Sequence, residues 1–169
     1  KNVANLCSLY NVKLIHISTD YVFDGNKRKP YTTKDIPNPI NQYGKSKLRG
    51  ESYVRDIIKE YYIIRTSWLY SELGNKFMKN RIRVGHDRDE LSVVYDQIGT
   101  PTYAKDLANV ILYIIKAHSI DYGVYNYSNE GVASWYDFAK AIFDGKGIQI
   151  DLKPIRSEAF PTPAERPKF

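Results

Sequence analysis

Two short runs, Lys13-Leu14-Ile15-His16-Ile17 and Tyr62-Ile63-Ile64-Arg65, are apolar at consecutive positions rather than at alternate ones. A strand with one face in water alternates, so runs like these point to strands buried on both faces, as in a parallel sheet covered by helices. Parallel neighbours need a long crossover, and the stretch from about Gln42 to Ile58 has the length and pattern of its helix. The fold class expected from this alternation is α/β, with a doubly wound parallel sheet.

The rest of the chain fits that scheme. Val3, Leu6, Leu9 and Tyr10 recur at helical spacing, and Asn11 can close that helix. From Ser18 to Asn41 the chain reads as loop, punctuated by Gly25, Pro30, Pro37 and Pro39. A helix is expected over Asn75 to His86 and a strand over Leu91 to Val94. Thr102 reads as the N-cap of a helix that buries Leu107, Val110, Ile111, Ile114 and Ile115. Val124 to Tyr127 is strand-like, and Ser134 with Asp137 resembles a shortened capping box opening a helix from Trp135 to Phe143. A last strand is expected over Ile148 to Lys153. A sheet that binds a dinucleotide starts with a strand, a glycine-rich turn and a helix. None of the 10 glycines falls in a G-x-G-x-x-G array, so the chain is expected to open in the middle of such a fold.

Composition narrows the setting. No apolar stretch reaches the ~18 residues that span a bilayer, and the start, Lys1-Asn2-Val3-Ala4-Asn5, resembles neither a signal peptide nor an initiator methionine. The single cysteine, Cys7, lies on what reads as a buried helix face, so a disulfide framework is ruled out and a reducing cytoplasm is the expected location. The formal net charge of +6 fits either attraction of an anionic ligand such as a nucleotide diphosphate or a solvated basic surface. The basic residues are scattered without interleaved aromatics, which argues against nucleic acid.

The chemistry concentrates at two places. Tyr43 and Lys47, in Tyr43-Gly44-Lys45-Ser46-Lys47, share one face of the expected helix. A phenol with a reference pKa of about 10 exchanges protons slowly at neutral pH, and a fixed cation nearby favours its anion. Such a pair makes a general acid for a carbonyl oxygen. Tyr136 and Lys140 repeat the spacing with no reactive loop upstream, and that pair reads as structural. The second place is Ser18-Thr19-Asp20, directly after the first buried strand. Ligands of open α/β sheets bind at the carboxyl ends of the strands, which puts the Thr19 hydroxyl and the Asp20 carboxylate where a ketone oxygen would sit. The plainer reading is a Ser/Thr/Asp turn that ends the strand. Trp68 follows the second strand, where a ligand contact competes with an ordinary packing role. Arg65 could pair with a phosphate, although an arginine closing a strand more often makes a structural ion pair, and Arg166 could reach a diphosphate from the tail. His16, His86 and His118 have no ligand spacing, so no metal is expected.

Threonine, tyrosine and lysine in this order and spacing resemble the short-chain dehydrogenase/reductase superfamily, in its extended, nucleotide-sugar-modifying branch. The strings STDYVFDG, PYTTKDIPNPINQYGKSKLRGE, RTSWLY, DQIGTPTYAKDLA, YNYSNEG, SWYDFAKAI and PTPAERPKF resemble the dTDP-4-dehydrorhamnose reductase family in particular, from about Leu14 to the end. The resemblance implies a partial Rossmann-like sheet over residues 1–65, carrying the catalytic helix. It implies a mixed region over 66–169, mainly a nucleotide-sugar-binding lobe, with elements returning to the sheet. It also implies reduction of the 4-keto group of dTDP-4-dehydro-L-rhamnose by hydride from NADPH or NADH. Tyr43 would then be the proton donor, Lys47 would bind the nicotinamide ribose and tune Tyr43, and Thr19 would hydrogen-bond near the reacting oxygen. Asp20 would contact the sugar and Trp68 would pack against the substrate. A homodimer is compatible with the resemblance. The family's glycine-rich cofactor turn has no counterpart in this sequence.

Two other readings stand beside the reductase. One is a non-catalytic protein of the same fold, like the regulatory subunit of methionine adenosyltransferase, in which serine replaces Thr19 and the tryptophan is missing. The presence of Thr19 and Trp68 favours the enzyme. The other is an epimerase or a different ketoreductase of the same branch, and STDYVFDG argues against the epimerase.

Overall fold

The computed structural model describes residues 1–73, 77–117, 119–162, 164 and 166–168, with 77–79 as backbone only. In chain order its elements are helix α1 (Asn2–Leu9), strand β1 (Leu14–Thr19), a 3₁₀ turn (Asp20–Val22), α2 (Gln42–Ile57), β2 (Tyr61–Thr66) and β3 (Leu69–Tyr70). There follow α3 (Phe77–Asp87), β4 (Glu90–Val94), β5 (Ile98–Gly99), β6 (Thr102–Tyr103) and α4 (Ala104–Lys116). The chain ends with β7 (Gly123–Asn126), β8 (Ala133–Ser134), α5 (Trp135–Lys146), β9 (Asp151–Ile155) and a second 3₁₀ turn (Ser157–Ala159).

The two continuous apolar runs are indeed neighbouring parallel strands. The main sheet has the order β1-β2-β7, all parallel, with Ile17 opposite Ile64 and Ile64 opposite Tyr125. The central strand is the most buried, because both of its faces are covered. On one face Ile63 packs with Ala4 of α1 and with Val54 and Ile58 at the end of α2. On the other, Tyr62 and Ile64 pack with Leu107 and Ile114 of α4. Ile63 and Ile64 are fully buried, and each such side chain contributes about 1.5–3 kcal/mol relative to exposure.

A separate core forms where β4 pairs in parallel with β9 and α5 covers the pair, through Val93, Ala139 and Phe143. After Thr66 the chain thus feeds both bodies: α4 and β7 join the main sheet, while β4, α5 and β9 build the second.

Several local expectations hold. Helix α1 closes through Asn11 in the left-handed region (φ 51°), with Asn11 N–H donating to Ser8 and Val12 N–H to Cys7, the two bonds of a Schellman motif. Helix α5 opens on the expected capping box, Ser134 accepting from the Asp137 N–H while Asp137 accepts from the Ser134 N–H. It runs on to Lys146, past Phe143, and stops at Gly147, whose φ of 65° suits glycine.

Others are corrected. Val3, Leu6, Leu9 and Tyr10 face outward, and α1 is buried through Ala4, with Cys7 packed against the same cluster. Ile115 is likewise exposed on α4. Thr102 is a buried strand residue rather than an N-cap. The cap position belongs to Tyr103, whose N–H is taken at 2.6 Å by the Asn129 side chain, a partner 26 residues away that local pattern does not reveal. The last strand begins at Asp151, and Ile148 and Ile150 pack against the cluster of Val93, Ala139 and Phe143 before the pairing starts. The helix expected over Asn75 to His86 is described over Phe77–Asp87, and Asn75 itself lies outside the described residues, as does His118.

Candidate active site

Because β1, β2 and β7 are parallel, their carboxyl ends emerge on the same side of the sheet. There a cleft of about 360 Å³ opens, lined among others by Asp20 after β1, Arg65 and Thr66 of β2, Asn126 of β7, and Asn129. This is the position where open parallel sheets bind ligands. Tyr31 also lines the cleft, and its carbonyl accepts from the Asn126 side chain at 3.1 Å, which ties the long loop to the sheet end.

Thr19 ends β1 and is buried. Its hydroxyl donates to the Asp20 carboxylate at 3.0 Å and accepts from the Tyr21 N–H at 3.2 Å, so it caps the 3₁₀ turn that aims Asp20 into the cleft. Burial pushes the Asp20 carboxyl up to about 6, against the opposing pull of the Thr19 hydroxyl and of backbone N–H groups. A carboxyl in that range changes protonation near neutral pH.

Helix α2 begins at Asn41, whose side chain accepts from the Gly44 N–H at 2.8 Å. Gly44 is required by contact: a Cβ there would lie 2.1 Å from the Tyr21 carbonyl oxygen. The first turn of α2 therefore closes directly on the turn that holds Asp20. Tyr43, in that turn, is 54% exposed, and its ring meets Tyr21 edge-on at 5.7 Å. One helical turn later Lys47 reaches across to β1, its Nζ donating to the Ile17 carbonyl at 2.6 Å. Burial raises the Tyr21 phenol, with the Arg166 guanidinium as the largest opposing influence, which sets the tail close to this turn.

A further turn along α2 lies Glu51, fully buried. It accepts from the Ser18 hydroxyl at 2.5 Å, from Arg65 Nε at 3.0 Å and from Arg65 Nη2 at 2.7 Å. The expected structural ion pair of Arg65 is therefore present, and the same guanidinium lies 5.1 Å from the Phe23 ring centroid. Arg65 Nη1 and Thr66 Oγ1 are buried without a hydrogen-bond partner among the described residues. Both residues line the cleft, so its wall carries hydrogen-bonding capacity that a polar ligand can use.

Trp68 adopts a positive φ of 42°, a strained conformation for a bulky residue. The strain is braced on both sides: Ser67 donates to the Thr100 carbonyl at 2.7 Å, and the Thr102 N–H donates to the Trp68 carbonyl at 3.2 Å. The indole lies flat on Trp135 at 3.6 Å between centroids, with its edge against Gly99. Gly99 lines the cleft, while Trp135 lines a second recess of about 260 Å³ that also holds Arg81 and Arg166.

Of the residues singled out by sequence, the structure links Thr19 to Asp20, and brings Tyr43 beside them through Tyr21 and Lys47 through the end of β1. Of the five, Asp20 alone lines the cleft, and Trp68 is joined to Trp135 rather than to the other four. Sequence reasoning missed Glu51, Asn129, Trp135 and Arg81. Glu51 left a signal, a carboxylate eight residues after Tyr43 on the same helix face, whereas the others are brought in by long-range packing. The second tyrosine–lysine pair is occupied structurally: Tyr136 packs against the second core and Lys140 pairs with Asp144 at 3.3 Å. Among the described residues no three His, Cys, Asp or Glu side chains gather as metal ligands, and no helix is long and apolar enough to cross a membrane.

Comparison with known proteins adds the following. Residues 1–169 match the family model of the RmlD substrate binding domain. The chain is 43% identical over 168 residues to a dTDP-4-dehydrorhamnose reductase of Aggregatibacter actinomycetemcomitans, covering 94% of this chain and 57% of that protein. It is 42% identical over 155 residues to the spore coat polysaccharide biosynthesis protein SpsK of Bacillus subtilis, covering 92% and 54%. Among solved structures, a dTDP-4-dehydrorhamnose reductase of Bacillus anthracis in complex with NADP superposes with a TM-score of 0.95 at 47% identity, over 99% of this chain and 59% of that one. The chain thus spans a little over half the length of these relatives. A UDP-glucuronic acid 4-epimerase of Bacillus cereus, at 21% identity and a TM-score of 0.76, shares the fold.

Proposed function

The chain belongs to the RmlD substrate binding domain family, and from that premise we propose that it carries the proton-donating and sugar-binding machinery of an NAD(P)H-dependent reductase. The substrate is dTDP-4-dehydro-L-rhamnose, reduced at its 4-keto group to dTDP-L-rhamnose. Residues 1–65 belong to a dinucleotide-binding, Rossmann-like domain with the catalytic helix, and 66–169 form mainly the nucleotide-sugar lobe, with α4 and β7 returning to the sheet.

The observation that supports the reading is the tie from Lys47 to the Ile17 carbonyl, which fixes α2, with the exposed Tyr43 one turn before Lys47, against the strand that ends in Thr19. In this role Tyr43 gives its proton to the developing alkoxide, as a general acid held beside the ketone. Thr19 hydrogen-bonds near the same oxygen, and Asp20 contacts the sugar hydroxyls from the cleft floor. The free polar atoms of Arg65 and Thr66 suit a hydroxylated ring. Trp68 packs against the substrate, and Arg81 with Arg166 supplies positive charge for the diphosphate in the adjoining recess.

The residues present fit one end of a nicotinamide dinucleotide. Lys47 and Tyr43 stand ready for its ribose and nicotinamide, while the glycines of this sequence form no G-x-G-x-x-G motif for its phosphates. When bound, NAD(P)H supplies the hydride. The reading includes a homodimer, supported by the apolar Leu112, Tyr113 and Ile115 that α4 leaves exposed, and a cytoplasmic setting, supported by the unpaired Cys7.

The test is NAD(P)H oxidation with a panel of nucleotide 4-ketosugars, in a protein of the relatives' length that carries this chain. Turnover should be highest with the dTDP-linked 6-deoxy sugar. Tyr43→Phe should lower kcat by roughly 10²–10⁴-fold while nucleotide-sugar binding stays close to normal. Tyr136→Phe should leave the rate nearly unchanged, and equal losses from the two would remove Tyr43 from its role.

A further inference from the structure

We infer that Glu51 is a positioning residue for the proton-donating tyrosine: it clamps the Tyr43 face of α2 to the carboxyl ends of β1 and β2 through Ser18 and Arg65. The inference rests on the reductase reading for the role of Tyr43, and otherwise on geometry alone.

Tyr43, Lys47 and Glu51 follow one another at single-turn intervals on α2. Lys47 and Glu51 are engaged at adjacent residues of β1. Lys47 holds the Ile17 carbonyl, Glu51 holds the Ser18 hydroxyl, and the next residue, Thr19, orients Asp20. Across the sheet the same carboxylate takes two bonds from Arg65, whose neighbour Thr66 lines the cleft. One buried carboxylate therefore fixes three elements relative to one another, and its three bonds come from two strands whose ends form the cleft floor. Tyr43 itself is half-exposed at the helix start, held by the edge contact with Tyr21 and by the path of α2. Its distance from the cleft is set by where α2 lies on the sheet, and Glu51 and Lys47 are the polar ties that set it. A shift of about 1 Å in a proton donor can cost on the order of 10²-fold in rate.

A plain stabilising ion pair would act differently. Buried pairs are often replaceable by apolar residues with no loss of stability, and their removal acts on folding alone when they position nothing.

The experiment uses a protein of the relatives' length carrying this chain, as wild type, Glu51→Gln and Ser18→Ala. Wild-type turnover of a 4-ketosugar tests the reductase reading first. In Glu51→Gln protein that remains folded by circular dichroism at the assay temperature, kcat should fall by roughly 10²-fold while KM for the nucleotide sugar stays within about threefold. Ser18→Ala leaves the ion pair intact, and should lower kcat several-fold with KM unchanged. It carries the test should Glu51→Gln fail to fold. A readout independent of turnover is the Tyr43 ring ¹³Cζ resonance, identified by its loss in Tyr43→Phe, which should move in both variants. Wild-type kcat in folded Glu51→Gln, or in Ser18→Ala when that variant stands alone, overturns the clamp. Absence of turnover in the wild type sinks the reductase reading instead, and the clamp is then decided by the resonance: an unmoved Tyr43 signal refutes it.

Discussion

At the scale of single residues, Asp20 is where stability and function pull in opposite directions. Its carboxyl, with a value of about 6 in the folded chain, stands above the 3.8 of an ordinary aspartate because burial penalises the charge. The folded state therefore holds the proton more tightly than the unfolded state does. Stability from this group is fully present below pH 3.8 and is lost as pH rises through 6. Above pH 6 the ionised Asp20 costs no more than about 3 kcal/mol, an upper bound because the side chain is partly open to the cleft. Asp20→Asn keeps the shape without the charge. It should raise the melting temperature above pH 6 and change it little near pH 4, in melts run across that range, while weakening nucleotide-sugar binding. An increment that does not grow between pH 4 and pH 6 would show that the carboxylate is well solvated. A buried charge held at a cost in stability fits a ligand contact, since a purely structural turn would be served by asparagine without that cost.

At the scale of elements, what could be read in the sequence was what is decided locally. Strands β1 and β2 announce themselves because helices over both faces place apolar residues side by side, Leu14-Ile15 and Tyr62-Ile63-Ile64, and the capping box of α5 because its two bonds span three residues. The orientation of α1 was not legible: an eight-residue helix with apolar residues around most of its circumference gives no unique face, and only packing against Val54 selects Ala4. The cap of α4 failed for the opposite reason, since Asn129 arrives from beyond β7 to take the Tyr103 N–H. The candidate site divides along the same line. Tyr43, Lys47, Thr19 and Asp20 belong to two short segments and could be found by spacing, but the partner of Trp68 is a tryptophan 67 residues away, and nothing local points to it. That pairing makes its own prediction. A Cβ at Gly99 would lie 2.7 Å from the Trp68 indole, so Gly99→Ala must push the ring off Trp135 or move β5. Overpacking of this kind costs roughly 1–3 kcal/mol. The variant should lose the near-ultraviolet dichroism of the stacked pair and bind the nucleotide sugar more weakly; an unchanged spectrum would mean that the ring has room the structure does not show.

At the scale of the whole molecule, the main sheet is open at both of its edges among the described strands. Strand β2 has a neighbour on each side, whereas β1 and β7 each pair with β2 alone among the described strands, and β1 stays half-buried from Leu14 to Ile17. The outward residues of α1, Val3, Leu6, Leu9 and Tyr10, and Val12 after it, add exposed apolar surface. An unpaired strand edge next to apolar side chains is a template for association. Cofactor binding divides in the same way. In the proposed reading Lys47 and Tyr43 meet the nicotinamide end of a dinucleotide, but its pyrophosphate is normally held by backbone N–H groups at a helix start behind a glycine-rich turn. This chain contains no such turn, and it spans 59% of the relative that was crystallised with NADP. The 169-residue chain by itself should therefore bind NADPH far more weakly than a protein of the relatives' length carrying it, show no reductase activity, and associate as its concentration rises. Calorimetric titration of NADPH into both proteins, with sedimentation of the shorter one, decides the matter. Equal affinities would relocate the cofactor site to residues of this chain other than Tyr43 and Lys47. A strictly monomeric chain would show that the β1 edge is protected by its twist and by the surrounding charge rather than by a neighbouring strand.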